Sequence, residues 1–411
     1  MFSVLGTTPL DESHTAVYLS SKLEEMCKEW NIDMRKVVCV VSDNGSNISK
    51  AMDDLFGKNR HLPCAAHTIN LVVEKAIDFT YGLKDEINKI SAIVTLSKQS
   101  VNFSDSLRRV QRNNNIPEGD ILKLKKDVTT RWNSKFYMCE RFLKLKEEVP
   151  IALLKFPQGP KMLSNEELDD MKEVVYILQP FEEFTRLVSS EDYVSGSLVI
   201  PAVHCLKKDI DNIRPATNIG RDLLDSLKIE VEERFRSIDE THLLTLPTLL
   251  DPRFKRLHLW DSPANCAKAV TCLVNLYKNK KREPEIEKAP APEIKKSENR
   301  LWRQHDALKE EQLKTLDSCS GMPEEIREYF NTPVIDKKED PLKWWATKKE
   351  TYPILYQLAQ KYLTIVGSSV PTERLFSKAG VIATDRRNRL LGKRLSKLMF
   401  LGSLNAEYWL L

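Results

Sequence analysis

The side chains whose type and spacing could do chemistry fall in four short stretches. In the first, Val37, Val38, Cys39, Val40 and Val41 form a run rich in β-branched residues, too short for a buried helix, that reads as a central parallel strand. It ends in Ser42-Asp43-Asn44-Gly45-Ser46-Asn47, which turns the chain into a helix starting near Ile48. Functional groups in strand–turn–helix units lie just past the carboxyl end of the strand, where Asp43 stands. The commoner use of such a residue is to cap the helix, a role open to Asp43 or Ser46. In the second, His61, Cys64 and His67 recur at spacings of three. A structural zinc needs four tetrahedral ligands, and no second Cys or His cluster is near, so a buried Cys64 and a hydrogen-bonded His67 make the better reading. In the third, Arg131 could pair with a phosphate while Trp132 stacks on a base. Taken alone, that dipeptide reads better as a tryptophan anchoring a helix beside a surface arginine. In the fourth, Pro371 restarts a helix within GSSVPTERLFSKAG, with Glu373 in its first turn, where the helix dipole favours a carboxylate, and Gly380 able to supply a left-handed stop.

These stretches need elements to position them. The densest run of helix signals lies between Asp340 and Asn405: Asp340 and Pro341 read as N-cap and first helical position, Trp344 and Trp345 follow, and Pro353 starts again. Ile354, Leu355, Leu358, Ala359, Tyr362 and Leu363 then fall on one wide apolar face that must be buried. Leu391, Leu395, Leu398 and Met399 share a later face, with Arg386, Arg387, Arg389, Lys393, Arg394 and Lys397 crowded nearby. Upstream, Phe2 to Gly6 reads as a strand end, His14 to Trp30 as a helix and Leu62 to Ala66 as a short strand. Ile69 to Ile77 and Leu83 to Leu107 read as two amphipathic helices. From Asn133 to about Asp340 the pattern is almost wholly helical, with a capping box at Ser164 and Glu167, and with Pro180, Pro201, Pro215 and Pro252 kinking or separating helices. Lys278 to Arg300 has eight basic residues, five acidic ones, three prolines and little apolar content, the signature of a flexible linker. Its KNKKR could serve as a nuclear address, though a solvated charge run is the likelier use of such a sequence.

With 63 basic and 59 acidic residues in 411, the net charge of +4 neither requires nor excludes nucleic acid, so any binding surface must be local. The eight cysteines lie far apart without a CxxC pair, which suits a reducing compartment. No signal-peptide pattern and no stretch of eighteen apolar residues is present, so a soluble chain with no membrane partner is expected.

The run from WWATKKETYPILYQLAQKYLTI through SSVPTERLFSKAGVIATDRRNRL closely resembles the C-terminal dimerisation region of the hAT superfamily of DNA transposases and their domesticated relatives. The order SDNGSN, CAAH, TTRWN, SSVPTER matches the series of that family, and LPTLLDPRFKRL is similar to a segment its members carry between their helices. The resemblance implies an α/β fold with an RNase H-like core, N-terminally truncated, interrupted by a large all-α insertion and completed by C-terminal helices. The corresponding divisions are a partial core over 1–132, a helical insertion over 133–277, a charged linker over 278–300, a helical connector over 301–339 and the dimerisation region over 340–405.

The same resemblance implies that Asp43 and Glu373 are the remnant of a DDE triad, the carboxylates that would hold Mg2+ in a complete two-metal enzyme. It places the first aspartate of the triad on a strand ahead of the position of Phe2; Asp11, in a turn before a helix, matches the wrong place. No cofactor is then required, metal binding through Asp43 and Glu373 is weak at most, and neither a small-molecule substrate nor a BED-type zinc finger is expected in this chain. His67 would lie beside the cleft, and Arg131 and Trp132 would contact DNA. Leu358, Tyr362, Leu391, Leu395 and Leu398 would form the face of a homodimer, since stable interfaces commonly bury ~1,600 Å² in total. Three readings follow: a domesticated or degenerate, non-catalytic nuclear protein that dimerises and associates with DNA; a fragment of an active transposase; and an interaction scaffold with no DNA contact.

Overall fold

The computed structural model describes residues 4–128, 131–189, 195–259, 263–282, 322–382 and 392–403. Among them the chain is overwhelmingly helical, and strand is confined to β1 (Val40–Ser42) and β2 (His61–Pro63). The two pair in parallel, with Val40 opposite His61, Val41 opposite Leu62 and Ser42 opposite Pro63. The helix Ser46–Phe56 connects them, and Ala16–Glu29 packs against that helix. An α/β core in the full sense is therefore not what the described residues form. The Val37–Val41 run pairs on one side only and is half-buried, so its ladder shrinks to three residues. The run expected as a second strand stops pairing at Pro63, and after the extended Cys64 the chain becomes helical at Ala65. Val4 and Thr7 are not in a strand either: their amides donate to Ser403 Oγ and Ser396 Oγ, so the start of the described chain lies along the helix Gly392–Ser403. Phe2 lies outside the described residues.

Local signals mark several helix starts. Thr15 caps Ala16–Glu29, and Ser164 and Glu167 close a reciprocal capping box on the helix Asn165–Val188. The apolar pattern from Leu83 to Leu107 is split: Leu83–Gln99 stops at Ser100, whose hydroxyl accepts the Phe103 amide and starts Val101–Asn113. Pro215 and Pro252 fall between helices, whereas Pro180 sits within one and Pro201 in the first turn of Val199–Asn212. Pro263–Arg282 stays helical through Arg282, so the segment from Lys278 begins as helix rather than linker. Residues 283–321, which include the rest of the expected linker and the first part of the connector, lie outside the described residues.

Among the described residues one hydrophobic cluster runs from Leu62 to Ile365 and joins the expected core, insertion, connector and dimerisation divisions. At its centre Ala65–Phe79 packs against Asn165–Val188 and Asn218–Phe235, burying Ile69, Val72, Val73 and Ala76 completely. His242–Leu250 is buried at every position from Leu243 on, as befits a helix enclosed on all sides, and it receives Pro353–Tyr362. Asp340 caps Pro341–Thr347 as its sequence requires, and the Trp345 indole donates to Leu250 O at 2.7 Å.

Candidate nucleic-acid interface

Cys64 is the point at which distant stretches meet. Its amide donates to Ser42 O at 2.8 Å, at the carboxyl end of β1. As N-cap of Ala65–Phe79, its sulfur accepts the His67 amide at 3.4 Å, and it also accepts the Ser369 amide at 3.2 Å from 305 residues away. Ala65 N–H donates to Gly367 O at 3.0 Å, and Asn44 Nδ2 donates to Thr68 Oγ1 at 3.1 Å. The turn after β1, the start of Ala65–Phe79 and the start of Val370–Ile382 thus share one junction. Gly367 is required there: a Cβ would meet Val199 Cγ2 at 2.6 Å and Ser195 O at 2.9 Å, while its amide donates to Ser195 Oγ. Gly196 fits as closely against Ile365 O, to which its amide donates at 3.0 Å.

Beside this junction opens a cleft of about 300 Å³, lined among others by His67, Asn70, Arg131, Tyr137, Arg186 and Glu373. Arg131 Nη2 donates to Glu373 Oε2 at 3.3 Å, which joins the third and fourth chemical stretches of the sequence. Both side chains are well exposed, so the pair contributes little to stability. Behind it Tyr137 donates to Glu182 at 2.5 Å; burial, and after it this carboxylate, push the phenol up to about 12, so it stays protonated as a donor. Arg186 stands 3.9 Å from Glu182 with its side chain 74% exposed.

Not every expected site residue belongs to this surface. Trp132 is 1% exposed, with its amide donating to Asn70 Oδ1, so it anchors the helix Trp132–Leu143 in the core. Stacking on a base would require the indole to leave that core, and the contact expected of it is corrected accordingly. His67 lines the cleft; the hydrogen-bonded histidine is His61, whose ring pairs with Asp53 Oδ1 and Ser42 Oγ, both at 2.9 Å. Asp43 is exposed, and its Oδ1 accepts the Gly45 amide at 3.0 Å, which shapes the turn without capping the next helix. Asp43 and Glu373 thus approach the Cys64 junction from two sides, each with its own protein partner.

Among the described residues no group of three or more His, Cys, Asp or Glu could hold a metal ion. Asp43 and Glu373 alone do not make the three-carboxylate set a two-metal centre needs. Glu373 does lie in the first turn of its helix, but that helix continues through Gly380 to Ile382, so the expected stop is absent.

The dimerisation face also divides. Leu358 and Tyr362, 5% and 8% exposed, belong to the intramolecular core, because their helix lies against His242–Leu250. Leu395 is half-buried and Leu398 exposed, whereas Leu391 lies outside the described residues, as do Arg386, Arg387 and Arg389.

Residues 62–177 match the ZBED1 RNase-like helical domain, and residues 325–403 match the hAT family C-terminal dimerisation region. The first match carries Cys64, His67 and Arg131, and the second carries Ser369 and Glu373, so the two matched regions are the partners joined at the junction and the cleft. Over these two regions the chain is similar to hAT transposases and ZBED proteins.

Zinc finger BED domain-containing protein 4 of Homo sapiens is 24% identical over 97% of this chain and 34% of its own length. A putative AC transposase of Zea mays is 24% identical over 94% of this chain and 51% of its own length. Zinc finger BED domain-containing protein 6 of Homo sapiens is 27% identical over 88% of this chain and 39% of its own length. The chain spans about a third to a half of the length of these relatives. No helix among the described residues is long and apolar enough to cross a membrane. Sequence reasoning missed the bridging role of Cys64 and the need for Gly196 and Gly367. The only local signal was a Gly-Ser-Ser ahead of a proline-started helix.

Proposed function

We propose that this chain is a domesticated or degenerate hAT transposase-like nuclear protein that pairs with a second copy through its C-terminal region and associates with DNA at the Arg131 cleft, without strand-transfer activity of its own. One observation carries the reading: Glu373, the carboxylate that catalysis would assign to a metal, is instead paired with the Arg131 guanidinium on an exposed cleft that Arg186 and Arg374 also line. A guanidinium there competes with a divalent cation for the carboxylate and matches a phosphate in geometry. RNase H-like ancestry accounts for the helix between the two parallel strands and for Asp43 just past the first of them.

Binding of the full chain to duplex DNA across a salt series tests the association. Phosphate contacts give a steep fall in affinity with salt, and Arg131→Ala should weaken binding about tenfold and flatten that slope by about 1. Binding that is absent, or insensitive to salt and to Arg131, would leave a protein scaffold as the function. A second reading, a segment of a working transposase, is favoured by the similarity to a putative AC transposase over 94% of the chain. Magnesium- or manganese-dependent nicking of terminal-repeat DNA, abolished by Asp43→Ala, would establish it; the proposal expects no nicking.

A further inference from the structure

Arg186 borders a second concavity as well as the Arg131 cleft. On its other side lies a groove of about 620 Å³ with an apolar floor that includes Phe184 and Leu198, and with Lys337 and Lys338 on its rim. Arg186 occupies the last turn of Asn165–Val188 and lines both concavities. Lys337 and Lys338 are exposed, on a loop held in place rather than trailing: Ile335 N–H donates to Pro252 O at 3.1 Å, and Lys338 N–H donates to Asp336 Oδ1 at 2.8 Å. Arg253 also lines the groove, but its guanidinium is bonded to Asp251 Oδ1 at 2.9 Å and Oδ2 at 2.6 Å and is buried, so it is not a contact. The acidic lining groups, Glu183 and Asp209, belong to the helical walls, while the loop contributes only lysines to the lining.

We infer that the DNA path continues from the Arg131 cleft over Arg186 to Lys337 and Lys338, which take phosphates of the same duplex. The inference rests on the proposed association of the Arg131 cleft with DNA. Charge complementarity and the continuity of the two concavities through one arginine select a nucleic-acid backbone as the occupant. An apolar peptide would use the groove floor and would gain nothing from the Arg131 side.

The test uses the full chain with a duplex of about 30 base pairs and one of about 10, roughly one helical turn, over a salt series. Arg131→Ala should weaken binding to both. The Lys337→Glu/Lys338→Glu double variant, whose exposed positions leave folding unchanged by circular dichroism, should weaken the long duplex by about tenfold at low salt and reduce its salt slope by about 2. If the double variant binds the long duplex as the wild type does while Arg131→Ala is impaired, the path ends at the cleft and the inference falls alone. If the wild type fails to bind DNA, or Arg131→Ala leaves binding unchanged, the association itself falls and the inference with it.

Discussion

Within the matched dimerisation region, residues 325–365 and 370–403 are physically different. The first part is built into the body of the chain. Tyr329 is fully buried, Trp345, Tyr352, Leu358 and Tyr362 nearly so, and the Tyr329 hydroxyl donates to Leu249 O. Glu325, half-buried at the edge of this part, accepts the Leu355 amide at 2.7 Å and the Tyr277 hydroxyl at 2.9 Å. The second part leaves apolar side chains in solvent: Phe376 is 62% exposed, Leu398 43% and Leu401 39%. Its inward contacts include the buried Met399 and the Phe400 ring, 5.5 Å from Trp30. One named region therefore closes the chain's own core with its first part and offers unpartnered apolar surface with its second. An amphipathic pattern cannot distinguish these uses.

The comparison breaks most visibly at Leu358. Leu358→Asp places an unpaired charge in the core and should cost about 4 kcal/mol or more, enough to abolish a cooperative thermal transition followed by circular dichroism. A folded Leu358→Asp monomer would instead place that residue on an intermolecular face.

Next comes Lys255, a buried ammonium whose Nζ donates to Tyr329 O at 2.8 Å and Thr332 Oγ1 at 2.7 Å and lies 4.8 Å from the Tyr329 ring centroid. It holds the carbonyl end of Glu324–Asn331 against the rest of the body. Lys255→Met should lower stability by about 3 kcal/mol in a denaturant titration, because those buried acceptors lose their donor. An unchanged midpoint would show that the first part is not fastened there.

An effect outside the matched dimerisation region, present only over part of the pH range, adds to the contrast. Glu86 is buried with Oε2 unpartnered; burial first, then Asp170 and Glu167, push its carboxyl up to about 7, against the opposing pull of Lys89. The folded state then holds the proton more tightly than the unfolded state. Its stabilising contribution is full below the ordinary carboxyl value near 4.5 and is lost as pH rises through about 7, by up to about 3 kcal/mol. Glu86→Gln should remove that pH dependence from the melting temperature and leave the oligomeric mass unchanged. A pH dependence that survives the substitution would assign it to other groups.

How much was legible in advance follows the same division between local and distant causes. Caps were readable, because Asp340 with Pro341 and Ser164 with Glu167 act on amides within three residues. The stop at Ser100 was not, since the apolar period runs through it and only the hydroxyl marks the break. Arg131 and Glu373 were singled out separately as site residues, and their pairing across 242 positions appears only in the fold. Trp132 taken by itself reads as a core anchor, which its burial matches; only the family resemblance made it a DNA contact. Cys64 gave no sign that its sulfur accepts an amide from 305 residues away.

The most direct test of the account is the mass of the full chain in solution, by light scattering at micromolar concentration, for the wild type and for Leu398→Asp/Leu401→Asp. Self-association through the exposed second part predicts a wild-type mass near twice 47.4 kDa, and for the variant a mass near 47.4 kDa with unchanged circular dichroism and a melting free energy within about 0.5 kcal/mol. A wild type that runs at 47.4 kDa, or a variant that unfolds, would contradict the account.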